Sequence, residues 1–248
     1  KASLDSQTGE FTWQSGDLIS VLATDGKFYD FILKTGAGAM DATFEGQIPE
    51  EAQITTVATY PRIVANGTEN TVCVESTLNY VLPETWTWMK DVSNVPMVAA
   101  FEAGATDMSF RQVGGVMRFP VKNMPLEATF VMTMNDKDIT GEFPVDLTKV
   151  GETAMVAGTE PSTLTVNYSS NVDGASVEFN VPVPTGVYDN FKLEIKDKAG
   201  EVLYAWDYTS DINKVERATL LNMSEITLPS RAVAAPTEAW PFFSDARV

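Results

Sequence analysis

Three neighbouring stretches of this 248-residue chain alternate apolar and polar residues. Val177, Phe179, Val181 and Val183 are separated by Glu178, Asn180 and Pro182. Phe191, Leu193 and Ile195 alternate with Lys192, Glu194 and Lys196, and Val202, Tyr204, Trp206 and Tyr208 follow the same rule. A period of two sends successive side chains to opposite faces of a strand, so one face meets a core and the other meets water. No stretch of helical length carries a clean apolar face at i, i+3, i+4 and i+7. The backbone must therefore find its hydrogen-bond partners in ladders between strands, which makes the chain all-β.

Further strands are expected at 17–23, 27–34, 54–60, 71–76, 113–121, 127–134, 139–147, 162–169 and 218–228, with Gly, Pro, Asn and Asp in the gaps. Asp197-Lys198-Ala199-Gly200 joins two of the alternating runs. Its glycine can take a positive φ, so 190–208 is expected to form a β-hairpin. A dozen strands exceed one small sandwich and predict two in tandem. The break is expected near Asn123-Met124-Pro125, because proline cannot extend a central ladder. That gives an N-terminal domain over 1–124, a C-terminal domain over 125–229 and an apolar tail over 230–248. The tail carries Val233, Ala235, Trp240, Phe242 and Phe243. A free tail with such an aromatic cluster invites association.

Composition excludes many chemistries. There is no histidine and one cysteine, which removes Ser-His-Asp and Cys-His catalysis, histidine-containing zinc sites and any internal disulfide. No cofactor or metal is expected. The net charge of −17 leaves no basic footprint for nucleic acid or an anionic membrane. No apolar run approaches a membrane span, so no transmembrane segment is expected. The first residues, Lys1 to Asp5, lack an apolar signal core, which fits either a cytoplasmic protein or one whose leader was removed.

Several side chains invite a functional reading beside a plainer one. Trp86 and Trp88 lie at i, i+2 and could form a platform for sugar rings, or sit half-buried under a loop. Paired carboxylates could run glycoside hydrolysis without histidine, but 34 acids single out no pair. Asn135-Asp136-Lys137-Asp138 partly echoes a calcium loop, yet position twelve is Leu147 rather than Glu, and a polar turn is expected. Cys73 between Val72 and Val74 reads as a packed small side chain. Asn66, Asn167 and Asn222 match a glycosylation pattern that arises by chance.

Several phrases, taken in order, resemble the Bacteroidetes fimbrillin-like family, which includes the subunits of type V pili. Trp13-Gln14-Ser15-Gly16-Asp17-Leu18-Ile19-Ser20-Val21 is similar to the family's opening W-x-x-G-D-x-I-x-V. Phe44-Glu45-Gly46, Tyr60-Pro61 and Pro96-Met97 follow at suitable distances. Val113-Gly114-Gly115-Val116-Met117-Arg118-Phe119 resembles the strand that closes the family's N-terminal domain. Ile139-Thr140-Gly141 and Pro182-Val183-Pro184-Thr185-Gly186 resemble elements of its C-terminal domain, and Arg217 to Met223 the approach to its last strand.

The resemblance implies two transthyretin-like, Greek-key β-sandwich domains. It also implies export to the cell surface, outer membrane or extracellular space, usually through a lipoprotein leader, and no enzymatic activity. Partners would be other pilus subunits, joined by β-augmentation after a trypsin-like cut near the N-terminus, together with host or bacterial surface proteins or glycans. Lys27, in the turn Asp25-Gly26-Lys27, is the candidate processing site, although the best-known members have Arg there; its plainer role is that of an ordinary turn lysine. Val233, Ala235, Trp240, Phe242 and Phe243 would belong to a donor strand, or to a segment packed on its own domain. The rival functions are a surface carbohydrate-binding protein of a glycan-uptake system and an Asp/Glu glycosidase.

Overall fold

A computed structural model describes residues 3–4, 10–63, 77–90, 95–101, 105 and 107–230. The expected strand at 71–76, Cys73 and the tail residues Val233, Ala235, Trp240, Phe242 and Phe243 lie outside the described residues. The described chain is all-β. Its strands are β1 (Ser3–Leu4), β2 (Phe11–Thr12), β3 (Leu18–Ala23), β4 (Phe28–Thr35), β5 (Thr43–Gly46), β6 (Ile54–Tyr60), β7 (Thr77–Leu82), β8 (Thr85–Thr87), β9 (Met97–Ala100), β10 (Ser109–Gln112) and β11 (Gly115–Met124). After these come β12 (Glu127–Met134), β13 (Gly141–Asp146), β14 (Ser162–Ser169), β15 (Ala175–Val183), β16 (Gly186–Val187), β17 (Phe191–Asp197), β18 (Val202–Tyr208), β19 (Lys214–Val215), β20 (Leu220–Asn222) and β21 (Ile226–Thr227). Among the described residues a single 3-10 turn occurs, at Leu147–Lys149.

A six-stranded sheet runs in the order β10-β9-β6-β3-β4-β5. Alternation decides which side chains leave each face. Val57 and Val98 point to one cluster with Leu78, Tyr80, Leu82, Phe143 and Val145 of the β7–β13 ribbon. Their neighbours Ala58, Met97 and Ala99 point to the other cluster, with Ile19, Val21 and Tyr60. The sheet is thus apolar on both sides, with the ribbon covering one of them.

The second unit packs a four-stranded sheet, β15-β11-β20 with β21 also on β11, against a five-stranded sheet, β18-β17-β12-β14-β8. Phe119, Phe130 and Phe179 meet in its core. Phe130 stacks on Phe179 at 4.6 Å and meets Phe119 edge-on at 5.3 Å. At the break expected beside Pro125 the chain turns from one sheet to the other. Met117, Phe119, Val121 and Met124 before it share one core with Ala128, Phe130 and Met132 after it. The ladder between β7 and β13 also spans that position.

The hairpin at 190–208 forms as expected, with Gly200 at φ 85°. Asp197 N–H donates to Glu201 O at 2.9 Å and Gly200 N–H to Asp197 O at 3.0 Å. One detail differs from the alternation rule: Val202 and Trp206 are exposed. A register shift between Ile195 and Lys196 sets Val202 opposite Lys196 on the polar face. Trp206 stands opposite Leu193, but β18 pairs only with β17, so this edge strand leaves part of its apolar face uncovered, although Tyr208 stacks on Phe191 at 4.4 Å. The stretch 218–228 is two short strands rather than one, because the chain leaves the β11 ladder between Asn222 and Ile226.

At the start of β11 the backbone approaches its neighbours closely at Gly114-Gly115. A Cβ on Gly114 would lie 2.5 Å from Val183 O and 2.7 Å from the Met155 Cε. A Cβ on Gly115 would collide with Val215 Cγ1 and sit 2.8 Å from Glu216 O. Only hydrogen side chains fit this approach. Gly115→Ala is expected to destabilise the chain by about 1–3 kcal/mol through overpacking. Gly151→Ala, which meets nothing within 4 Å, is expected to be near neutral; denaturant unfolding of the two variants checks the pair.

Candidate functional site

The opening phrases of the sequence converge on one aromatic cluster. The Trp13 ring meets Phe44 at 5.0 Å, Tyr60 at 5.3 Å and Phe110 at 5.4 Å, all edge-on. Gly16 takes φ 82° and bends the chain so that the buried Asp17 carboxylate accepts Gln14 N–H at 2.8 Å. Tyr60 Oη donates to Asp17 Oδ1 at 3.3 Å. These residues fix the start of β3 against β6, which is a structural task.

Lys27 sits in the hairpin between β3 and β4. Ala23 N–H donates to Lys27 O at 2.8 Å and Gly26 N–H to Ala23 O at 3.0 Å, with Gly26 at φ 78°. Asp25 then locks the loop: its Oδ1 accepts Lys27 N–H at 3.1 Å and its Oδ2 accepts the Tyr29 hydroxyl at 2.6 Å. The Lys27 side chain is exposed. The strand on its N-terminal side, β3, is an interior strand held by β4 and β6.

Trp86 and Trp88 are both half-buried against the sandwich core. Trp88 Nε1 donates to Glu178 O at 2.9 Å and its ring meets Tyr168 at 5.1 Å. The two side chains form no common exposed platform, since Trp88 is engaged with β15. Trp86 instead lines a cavity of about 450 Å³ together with Tyr80, Leu82, Leu164, Asn180 and Pro182. Asn180 gave no signal in the sequence beyond its place in an alternating strand.

The last described residues lie beside the far end of β11. Leu228 N–H donates to Lys122 O at 3.1 Å, and Asn123 Nδ2 donates to Leu228 O at 3.0 Å. The tail beyond Ser230 is outside the described residues. The polar stretch 135–138 is a turn region. Asn135 Nδ2 donates to Asn190 Oδ1 at 2.8 Å, Lys137 Nζ stands 3.5 Å from carboxylate oxygens of Asp136 and Asp189, and Asp138 accepts Gly158 N–H. Among the described residues no three His, Cys, Asp or Glu side chains are grouped to hold a metal. No helix of the described residues is long and apolar enough to cross a membrane.

No protein-family model and no curated protein matches this chain. Among solved structures it is similar to a candidate cell adhesion protein of Bacteroides ovatus, at 14% identity and a TM-score of 0.56, over 91% of this chain and 88% of that one. A candidate cell adhesion protein of Bacteroides uniformis follows at 15% identity and a TM-score of 0.48, over 87% and 93%. The fimbrial anchor protein Mfa2 of Porphyromonas gingivalis follows at 10% identity and 0.30, over 86% and 80%. The first likeness shows a shared fold; the other two superpose too loosely to carry weight.

The Lys27 turn has a titratable signature. The hydrogen bond from Tyr29 to the Asp25 carboxylate holds that carboxyl below its ordinary range and pushes the phenol up to about 12. Asp25→Asn removes the charged acceptor, so the Tyr29 proton is expected to leave nearer the ordinary value of about 10. Ultraviolet titration of phenolate absorbance, compared with a Tyr29→Phe control, measures the change.

Proposed function

We propose that this chain is an exported, non-enzymatic surface protein of fimbrial or adhesive type. The single observation that supports it most is the likeness of fold to the Bacteroides ovatus protein across nine-tenths of the chain. The clustering of the family-like phrases around Trp13, Asp17 and Tyr60 adds to it. In this reading the chain is built of transthyretin-like domains and works at the cell surface, outer membrane or outside the cell. It is anchored through a lipidated leader.

The finer proposal is assembly by strand exchange. A cut after Lys27 frees β3, whose removal would open a slot between β4 and β6. Strands there would present unpaired N–H and C=O groups to an incoming strand, and apolar pockets to its alternate side chains. The donor would be the tail of another copy or of a related subunit, through Val233, Ala235, Trp240, Phe242 and Phe243. The hydrogen bonds that lock the Lys27 turn slow any protease, because a cleaved segment must first unfold locally.

Limited trypsin digestion followed by size measurement tests this reading. Cleavage after Lys27 and growth of high-mass polymer are expected for the unaltered chain. Lys27→Gln should block both, and deletion of 230–248 should permit cleavage but abolish polymer while the domains stay folded. Polymer from the tail-deleted protein overturns the donor-strand proposal. Cleavage without polymer overturns assembly at this site.

A further inference from the structure

The backbone of β11 alternates its hydrogen-bonding direction. Val116 N–H donates to Thr219 O, while Arg118 O and Lys122 O accept Met223 N–H and Leu228 N–H. From Val116 to Lys122 the even-numbered residues of β11 therefore turn their backbone polar groups toward β20 and β21. Opposite them in the antiparallel ladder stand Glu178, Asn180 and Pro182. Those three must turn their own N–H and C=O outward, to the edge of β15 away from β11. Glu178 O is occupied by the Trp88 indole, and Pro182 has no N–H to offer. Asn180 lies between these two blocked positions, and no strand among the described residues pairs with this edge.

The Asn180 side chain shares that situation. The residue is 8% exposed, and its Oδ1 is buried without a hydrogen-bond partner. A buried amide oxygen left unpaired is costly, and such a group calls for an explanation. Here the carboxamide lines the cavity of about 450 Å³, a volume in the usual range for small-molecule sites of roughly 300–1,000 Å³. Leu82, Leu164 and Pro182 give the cavity apolar wall, Trp86 gives it an indole, and Asn79 and Arg62 add polar groups.

We propose that this cavity binds the N-acetylhexosamine end of a glycan. The acetamido N–H would satisfy Asn180 Oδ1, and its carbonyl would meet a donor of the same residue. Its methyl group suits the apolar wall, and the sugar ring suits the indole of Trp86. A ring of this kind is amphipathic, with C–H faces for the aromatic surface and hydroxyls for the polar rim. The ligand is neutral, since a chain of net charge −17 repels uronic and sialic acids. Binding needs neither a cut at Lys27 nor the tail, so it stands or falls separately from strand exchange.

Saturation-transfer NMR and tryptophan-fluorescence titration of the full chain test the site. The probes are N-acetylglucosamine, N-acetylgalactosamine, glucose, galactose and N-acetyl-leucine amide. At least one acetylated sugar is expected to bind tenfold or more tightly than its parent sugar. Asn180→Ala and Trp86→Ala are each expected to weaken that binding at least tenfold. Val81→Glu, at a position 64% exposed in β7 beside the cavity, should do the same without touching the core, and it carries the test if a buried variant fails to fold. Absence of sugar binding, equal binding of the parent sugars, or full affinity in Val81→Glu overturns the proposal. Tighter binding of N-acetyl-leucine amide overturns it in favour of a peptide-docking edge.

Discussion

The close approach of backbone at Gly114-Gly115 is the constraint on which the rest of the structure depends. Val183 and Met155 press on the first glycine, and Val215, Glu216 and Thr219 on the second. Ala218 N–H donates to Gly114 O at 2.9 Å. Arg217 closes the junction from outside. Its Nε donates to Gln112 O at 2.8 Å and its Nη1 to Gly151 O at 2.8 Å, with Val150 O at 3.3 Å. Partial burial and the nearby Arg111 lower its pKa, but a guanidinium stays charged in any ordinary solvent. One side chain thereby ties the end of β10, the turn after β13 and the approach to β20. These three segments are remote in sequence, so the six-stranded sheet and the sandwich are joined by polar bonds around a glycine hinge of fixed geometry.

Much of the fold could be read in the sequence because period-two alternation is a local signal. The strands expected at 54–60, 127–134 and 162–169 coincide with β6, β12 and β14. The Asp-x-x-Gly turn at 197–200 announced its own hairpin. The misses have a common cause, which is tertiary context. Leu78, Tyr80 and Leu82 alternate as a strand does, yet β7 was not among the expected strands, and its partner β13 lies some sixty residues on. Trp206 obeys the alternation and is still exposed, because only position in the sheet decides whether a face is covered. Pro125 signalled a break in a ladder. Whether the chain then enters a new core or the opposite sheet of the same one is not written in the local residues.

The candidate sites divide in the same way. The turn that holds Lys27 was legible, and so was the spacing of Trp86 and Trp88. Their separation in space was not, since it arises from the edge of β15, where Trp88 caps a carbonyl and Trp86 faces a cavity. Asn180 was invisible. An asparagine on the polar face of a strand looks like a solvated residue until the strand is known to be an edge folded under a neighbouring ribbon. Pro182 and the Trp88 indole on Glu178 O also protect this edge from casual pairing, as exposed ladders usually require.

The way β20 and β21 lie along β11 has a mechanical side. β20 and β21 run parallel to β11, and the bonds Thr219 O to Val116, Met223 to Arg118 and Leu228 to Lys122 hold them along its length. A pull on residue 230 directed along the strand stretches these rungs together instead of peeling them one by one. Load entering there passes straight into the longest strand of the sandwich and, through it, to the aromatic core. β20 and β21 therefore act as a lap joint, strong in shear and weak to sideways prying, and the direction of a tether would decide how long the fold endures under tension.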